Sequence, residues 1–497
     1  MSTDGVEIQP IIGLEIHVQL ATKSKLWCGC ALEFGAEPNS RTCPVCLGLP
    51  GALPVINQAA IEHSIRVGLA LHCRIAKRAK WDRKSYWYPD LPKNYQISQF
   101  DQPLCSDGHF EFKHADRIRK VRIRRAHLEE DAGKNDHENA AFSAIDLNRA
   151  GTPLLEIVTE PDFTGADETR EFAVQLHRLV RYLGVSHANM QQGQMRFEPN
   201  INLRIRRGGE TFVTPIVEVK NLNSFKSLHA AIEFELDRQA REWRETGETL
   251  TRGNKRNRGW DDVKLITLPQ REKEESEDYR YFPDPDLAPY EPSSTWVSAV
   301  REDMPELPVP RTERFISEYK LTEQDAPALV DDRATADLLD EAAACGGDKA
   351  TLGKHFLSFW SMHANARQTS IAGLALSPQR FAQLANLVVE GAVNATAAAQ
   401  LSEALLSDDR DPREIAQERG WMQSRNTDEI AAWVNAALAA NPQAVADALG
   451  NPKKLQAARG FLTGQVMKIS GGKADPKVTG ELIQKALSGA SGPTAAS

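Results

Sequence analysis

A chain of 497 residues, 41% hydrophobic and 26% charged, is long enough for about three domains and apolar enough to give each a core. Sixty Lys and Arg against 68 Asp and Glu leave a formal charge of -8, which excludes a uniformly cationic nucleic-acid binder and confines any RNA contact to local basic patches. No apolar run reaches membrane-spanning length, and residues 1–10 have neither the apolar core of a signal peptide nor the Arg-rich pattern of a transit peptide, so a cytosolic location is expected.

From residue 11 to 282, alternating strand-like runs, Gly/Pro turns and a few helical stretches (166–183 and 224–244) predict one large α+β body. Its first strand alternates strictly from Leu14 to Leu20, so Glu15, His17 and Gln19 share one face while the aliphatic residues pack behind. Glu15 and His17 then lie about 6–7 Å apart along the backbone. That spacing suits two ligands of one cation or an acid/base pair, and equally a strand with a solvated polar face.

Cys28-Gly29-Cys30 and Cys43-Pro44-Val45-Cys46 are separated by twelve residues. Two paired knuckles at this spacing predict a closed, structural tetrathiolate zinc site, the alternative being a reduced, metal-free cluster. Cys73, Cys105 and Cys345 have no nearby partners and are expected to be buried thiols. Between residues 82 and 99, Lys84 and Lys93 are interleaved with Tyr86, Trp87, Tyr88 and Tyr95, a composition that suits phosphate contact with base stacking, or a filled core.

Six of the nine residues 117–125 are Arg or Lys, and His127-Leu128-Glu129-Glu130-Asp131 follows at once. Carboxylates beside a basic strand fit a nucleotide-metal site, since Mg2+ takes carboxylate together with phosphate oxygens; a solvated charged face has the same composition. Farther on, residues 149–153 form a predicted turn, and Glu156 then interrupts an aliphatic strand. A carboxylate buried there needs a cation, either a metal or Arg149.

Seven prolines between residues 283 and 310 predict an extended connector and a domain boundary. Beyond it, residues 321–487 read as one or two helical domains. Ser377-Pro378 opens a helix with Phe381, Leu384, Leu387 and Val388 on one stripe, and Ile430, Trp433, Val434 and Leu438 line another that stops at Asn441-Pro442. Asp475-Pro476 opens the last helix. Residues 407–412 mark an internal break, and residues 489–497 are expected to fray. The expected domains are thus 1–295, 296–407 and 408–497.

Ser470-Gly471-Gly472-Lys473 is followed by Ala474 and lacks the upstream glycine of a phosphate-binding loop. H-E-x-x-H, G-x-S-x-G, a glycine-rich tandem-serine amidase run and an N-terminal cysteine nucleophile are absent too. Any nitrogen transfer would need ammonia made elsewhere.

Several stretches together closely resemble the B-subunit family of the aspartyl/glutamyl-tRNA amidotransferases. They are Gly13-Leu14-Glu15-Ile16-His17, the cysteine block continuing into Leu47-Gly48-Leu49-Pro50-Gly51, Tyr88-Pro89-Asp90-Leu91-Pro92-Lys93, residues 127–134 and 146–156, Val219-Lys220-Asn221-Leu222-Asn223-Ser224-Phe225, Asp278-Tyr279-Arg280-Tyr281-Phe282-Pro283, and Phe461-Leu462-Thr463-Gly464-Gln465-Val466-Met467-Lys468. The resemblance implies a cradle-shaped α+β catalytic domain, a helical domain and a mobile helical tail that binds tRNA. It implies that ATP phosphorylates the side-chain carboxylate of misacylated Glu-tRNA(Gln) and/or Asp-tRNA(Asn), after which ammonia displaces phosphate to give the amide.

The family's Mg2+ positions fall on Glu15, His17, Glu156 and one of Glu129 or Glu130, with Glu130 favoured; Glu15, His17, Glu130 and Glu156 are the expected catalytic set. Lys84 and Lys93 are expected phosphate contacts for ATP, Cys28, Cys30, Cys43 and Cys46 the zinc ligands, and Lys468, Lys473 and Lys477 tRNA contacts. The implied partners are an amidase (A) subunit and a small C subunit in a heterotrimer, in a bacterial-type cytoplasm, with no membrane or DNA involved. Residues 251–260 look longer and more basic than the family's usual connection, which leaves the local geometry of that edge open. The rival readings are a zinc-stabilised, non-catalytic RNA-binding scaffold and an autonomous metal-dependent hydrolase.

Overall fold

The computed structural model describes residues 6–115, 117–136, 142–270, 279–450 and 454–489. The architecture is α+β, in two compact units that meet in sequence between Val309 and Pro310. The first is built on a ten-stranded mixed sheet in the order Ile266–Pro269 (β14), Arg256–Asp261 (β13), Val217–Lys220 (β12), Met195–Arg207 (β10), Val6–Gln19 (β1), Pro153–Thr159 (β9), Arg117–Glu130 (β6), Cys105–His114 (β5) and Arg74–Ile75 (β2), with Glu210–Val213 (β11) against β10. A three-stranded sheet joins Phe282–Pro283 (β15), Asp82–Ser85 (β3) and Tyr95–Ser98 (β4), and Lys134–Asp136 (β7) pairs with Ala144–Asp146 (β8).

The alternation of β1 determines which face of the sheet becomes core. Ile12, Leu14, Ile16 and Val18 are all buried, and they share one cluster with Phe172, Leu176 and Val180 of the helix Ala166–Tyr182 and with Leu228, Ala231 and Ile232 of the helix Phe225–Thr246. Each such side chain contributes about 1.5–3 kcal/mol by leaving water. The second helix is capped by Ser224, whose Oγ accepts from Ser227 N at 3.0 Å, and ends at Gly247, whose φ of +68° suits a residue without Cβ. With helices covering one face, the other face of the sheet is left for polar side chains.

The basic run of β6 is neutralised side by side. Arg122 pairs with Asp162 at 2.6 Å, Arg124 with Glu160 at 2.9 Å and Lys120 with Glu111 at 3.4 Å, while Arg119 pairs with Glu168. Residues 251–260 resolve in the same way: Arg256 pairs with Glu242 and Glu248, Arg258 with Glu235, and Lys255 with Glu218.

The proline-rich stretch is not wholly extended. The proline-free interval 293–304 forms the helix Ser294–Glu302, capped by Ser293, and its Val300 joins the core of the first unit. Pro308 and Pro310 lie in the first turn of the helix Pro308–Glu318, where the missing N–H has no intrahelical partner to lose. The first compact unit extends through the helix Ser294–Glu302 to Val309.

The second unit is helical throughout its described residues. Pro378–Val389, Thr427–Ala440 and Pro476–Gly489 begin and end close to the expected punctuation, and Asp475 Oδ1 accepts from Lys477 N at 2.8 Å. Ile430, Val434, Leu462, Val466, Ile483 and Leu487 form a core of their own within residues 430–487. Cys73 and Cys105 are buried as expected, but Cys345, at the C-terminal end of the helix Arg333–Ala344, is exposed. Residues 490–497, expected to fray, and Asp278 lie outside the described residues.

Candidate active site on the polar face of the sheet

β9 lies between β1 and β6 in a register that sets Glu156 opposite His17 on one side and opposite His127 on the other. Glu156 Oε2 is 3.4 Å from His17 Nε2 and 3.7 Å from His127 Nε2. His127 Nε2 is also 3.7 Å from Glu129 Oε2, and Ser98 Oγ of β4 donates to that same oxygen at 3.1 Å. One ligand atom each from His17, Glu129 and Glu156 lies within 4.8 Å of the others.

The pleat separates the two adjacent glutamates of β6. Glu129 faces this cluster, whereas Glu130 points to the other side, where its carboxylate accepts from Ile97 N at 2.9 Å and pairs with Lys93. The structure thus brings Glu129, and not the favoured Glu130, to His17 and Glu156. Lys93 is engaged by Glu130 and lies over the Tyr95 ring at 5.4 Å. Arg149 is not the partner of Glu156: it donates to Ala132 O and Gly133 O and faces Asp131 at 3.7 Å.

Glu15 belongs to a second group, which adjoins the first through Glu198, whose Oε1 is 3.8 Å from His17 Nδ1. Glu15 lies opposite Glu198 in β10, accepts from Asn200 Nδ2 at 3.0 Å, and clusters with Glu198 and Glu218 within 4.8 Å. Lys220 Nζ reaches Glu198 at 2.7 Å and Glu218 at 2.9 Å, and Lys255 reaches Glu218 at 3.0 Å.

The electrostatics favour charged forms in spite of burial. Burial by itself would lower the pKa of His17, but the hydrogen bond to Glu156 and the charges of Glu198 and Glu156 outweigh it, and the pKa is raised. Burial opposes ionisation of Glu156, yet His127, then His17 and Lys84, hold it well below the usual carboxylate range. Glu129 is lowered against burial by its hydrogen bond to His127 and by Lys84. Lys84 is raised against burial, first by Glu129 and then by Tyr281 and Glu156, and its Nζ lies 5.0 Å from the centre of the Tyr279 ring. Two carboxylates held ionised and the Lys84 ammonium thus lie together on this face of the sheet.

Two carboxylates and an imidazole in this arrangement could hold a hard divalent cation. The cysteine block is chemically distinct. The four Sγ atoms of Cys28, Cys30, Cys43 and Cys46 lie within 4.8 Å of one another, and Cys43 N donates to Cys46 Sγ at 3.1 Å, a donor set that fits tetrahedral zinc with no open position. The Cys46 thiol is pushed down to about 4, first by the hydrogen bond from Cys28, with Lys25 adding to the effect.

Sequence reasoning misses the roles of His127, Glu198 and Glu218. Glu198 and Glu218 each occupy a polar position of a regular alternation, between Phe197 and Pro199 and between Val217 and Val219, so they lack the signal of Glu156, which breaks a continuous aliphatic run. In the second unit, Lys468, Lys473 and Lys477 are all exposed, at the end of the helix Leu455–Ile469, in the turn after it and at the start of Pro476–Gly489.

A family model described as the GatB/GatE catalytic domain matches residues 10–298, and one described as the GatB domain matches residues 337–487. The chain is 40% identical to the B subunit of the aspartyl/glutamyl-tRNA(Asn/Gln) amidotransferase of Thermoanaerobacter sp. (strain X514) over 483 residues, 97% of this chain and 100% of that protein. It is 41% identical to the corresponding protein of Persephonella marina over 483 residues (97% and 100%) and 42% identical to that of Caldicellulosiruptor saccharolyticus over 491 residues (97% and 99%). This chain belongs to the B-subunit family of the aspartyl/glutamyl-tRNA(Asn/Gln) amidotransferases. As an amidotransferase B-family chain, it carries both the polar sheet face and the cysteine block inside the catalytic-domain match, and its three exposed tail lysines inside the second. Among the described residues no helix is long and apolar enough to cross a membrane.

Proposed function

We propose that this chain performs the ATP-dependent activation and amidation of the side-chain carboxylate of Glu-tRNA(Gln) and/or Asp-tRNA(Asn). The observation that carries the reading is the convergence of His17, Glu129 and Glu156 on one face of the sheet, with Lys84 beside them. A free carboxylate is a poor acyl donor. Transfer of the γ-phosphoryl group of ATP to one carboxylate oxygen, with release of ADP, gives an acyl phosphate; ammonia then attacks the carbonyl carbon, phosphate leaves, and the nitrogen loses a proton.

Mg2+ held by His17, Glu129 and Glu156 would supply the charge neutralisation that phosphoryl transfer requires. The chain's own residues do the positioning. Ser98 and His127 orient Glu129, and His127 and His17 hold Glu156 ionised. Lys84 offers its ammonium to a phosphate oxygen arriving above the cluster. Lys93, spent on Glu130, anchors the segment behind the site instead. Ammonia comes from an amidase partner, joined by a small third subunit, and Lys468, Lys473 and Lys477 contact tRNA phosphates.

The test is conversion of Glu-tRNA(Gln) to Gln-tRNA(Gln) by this chain with its small partner, ATP, Mg2+ and ammonium, without amidase or glutamine. The expected result is ATP-dependent product that Glu156→Gln abolishes while tRNA binding persists. A folded, tRNA-binding wild type that makes no product, even with amidase and glutamine added and with Asp-tRNA(Asn) tried, sinks the reading in favour of a non-catalytic scaffold.

A further inference from the structure

Lys25 is fully buried, with 0% of its surface exposed, a place where an ammonium is rarely found unless it is paired. Its Nζ donates to Cys46 Sγ at 3.6 Å and to Leu147 O at 3.2 Å, and no carboxylate forms an ion pair with it among the described residues. Across Gly151 lies the Glu130 carboxylate, whose other oxygen, Oε1, pairs with Lys93 and accepts from Ile97 N, and it forms no ion pair with Lys25. A buried cation needs an anion, and of its two hydrogen-bond partners only the Cys46 sulfur can carry that charge. Four thiolates around one dication leave two negative charges in excess, which is the counter-charge that Lys25 lacks, and Cys46, the thiol that Lys25 touches, is the buried one of the four.

The surroundings show what the contact ties together. Gly151 has a φ of +85°, and a Cβ built on it would lie 3.4 Å from Lys25 Cδ and 3.8 Å from Cys46 Cβ, so the turn comes close to both. Leu26 N donates to Gly151 O at 2.8 Å, and Asn39 and Asn148 lace residues 37–41 to residues 145–148. That turn runs directly into β9, which carries Glu156.

We propose that Lys25 is the outer-sphere counter-ion of a tetrathiolate zinc centre, donating to the Cys46 thiolate while holding Leu147 O and so fastening the centre to the turn that leads into β9. The proposal rests on the zinc reading of the cysteine block. Partners of this kind typically change metal affinity by about 10–100-fold when removed.

The experiment measures zinc content and the rate of zinc release to a chromogenic chelator in the full chain, for the wild type, Lys25→Met, Lys25→Gln and Lys25→Arg. We expect one zinc per wild-type chain, release about 10–100-fold faster from the two neutral variants, and near wild-type release from Lys25→Arg. A folded neutral variant that holds zinc as tightly as the wild type overturns the counter-ion role. A wild type that binds no zinc overturns the zinc reading instead, so the two failures are distinct. If neither neutral variant folds, the cobalt-loaded wild type and Lys25→Arg decide: the thiolate-to-metal charge-transfer band shifts when the donor to Cys46 changes, and identical bands overturn the contact.

Discussion

At Glu129 and Glu130 the pleat of β6 sends two adjacent carboxylates to different work. Glu129 meets His127 and Ser98 on the polar face, while Glu130 is sealed against Lys93 and Ile97 N with 2% of its surface exposed. Their glutamine variants should therefore fail differently. Glu129→Gln is expected to cut the ammonia-dependent turnover by about 100-fold or more, since it removes a charge that the reaction uses, with a smaller loss of unfolding free energy than at Glu130 because Glu156 still faces Lys84. Glu130→Gln leaves the Lys93 ammonium buried and unpaired, which costs about 3–5 kcal/mol of stability. Denaturant melts and single-turnover rates on both variants check this; equal stability losses would show that the two side chains are not segregated as described.

At the scale of elements, caps and proline positions explain most of the helix boundaries, and burial of one histidine gives a helical segment its own pH response. His355, the last residue of the helix Lys349–His355, packs near Phe359 with ring centres 4.8 Å apart, and burial pushes its pKa from the usual 6.5 down to about 4. The unfolded chain therefore takes up a proton between those values that the folded chain refuses. Its contribution to stability is full above pH 6.5 and is lost as pH falls toward 4, by at most about 3 kcal/mol. Replacing it, as in His355→Leu, is expected to remove that slope. The check is the difference in denaturant stability between wild type and variant at several pH values from 8 to 4.5; parallel curves would contradict it.

For the whole molecule, the cysteine block and the helical unit should respond separately to metal removal. Residues 24–57 and 144–152 are laced to each other around the four thiols, whereas residues 430–487 have a core that includes none of them. Stripping zinc with a chelator is expected to speed amide exchange in peptides from 24–57 and 144–152 and leave those from 430–487 unchanged, as read by mass spectrometry. Uniform deprotection across both regions would mean that the cysteine block sustains the entire fold.

Much of this was legible in local sequence, because its causes are local. Period-two alternation put Glu15, His17 and Gln19 on one face of β1, paired cysteines at fixed spacing marked the four-thiol cluster, and Ser377-Pro378, Asn441-Pro442 and Asp475-Pro476 punctuated the helices. The proline count misled where a proline-free interval was long enough for the helix Ser294–Glu302. What the sequence alone determined is therefore the parity of each strand, the ends of the helices and the chemistry of the cysteine block. Which carboxylates meet was decided by tertiary structure alone: Glu129 in place of Glu130, His127 between Glu129 and Glu156, and Glu15 grouped with Glu198 and Glu218. The pleat fixes which side chains share a face within one strand, but the face they share with another strand depends on a pairing register between segments more than a hundred residues apart, such as His17 opposite Glu156 and Glu15 opposite Glu198.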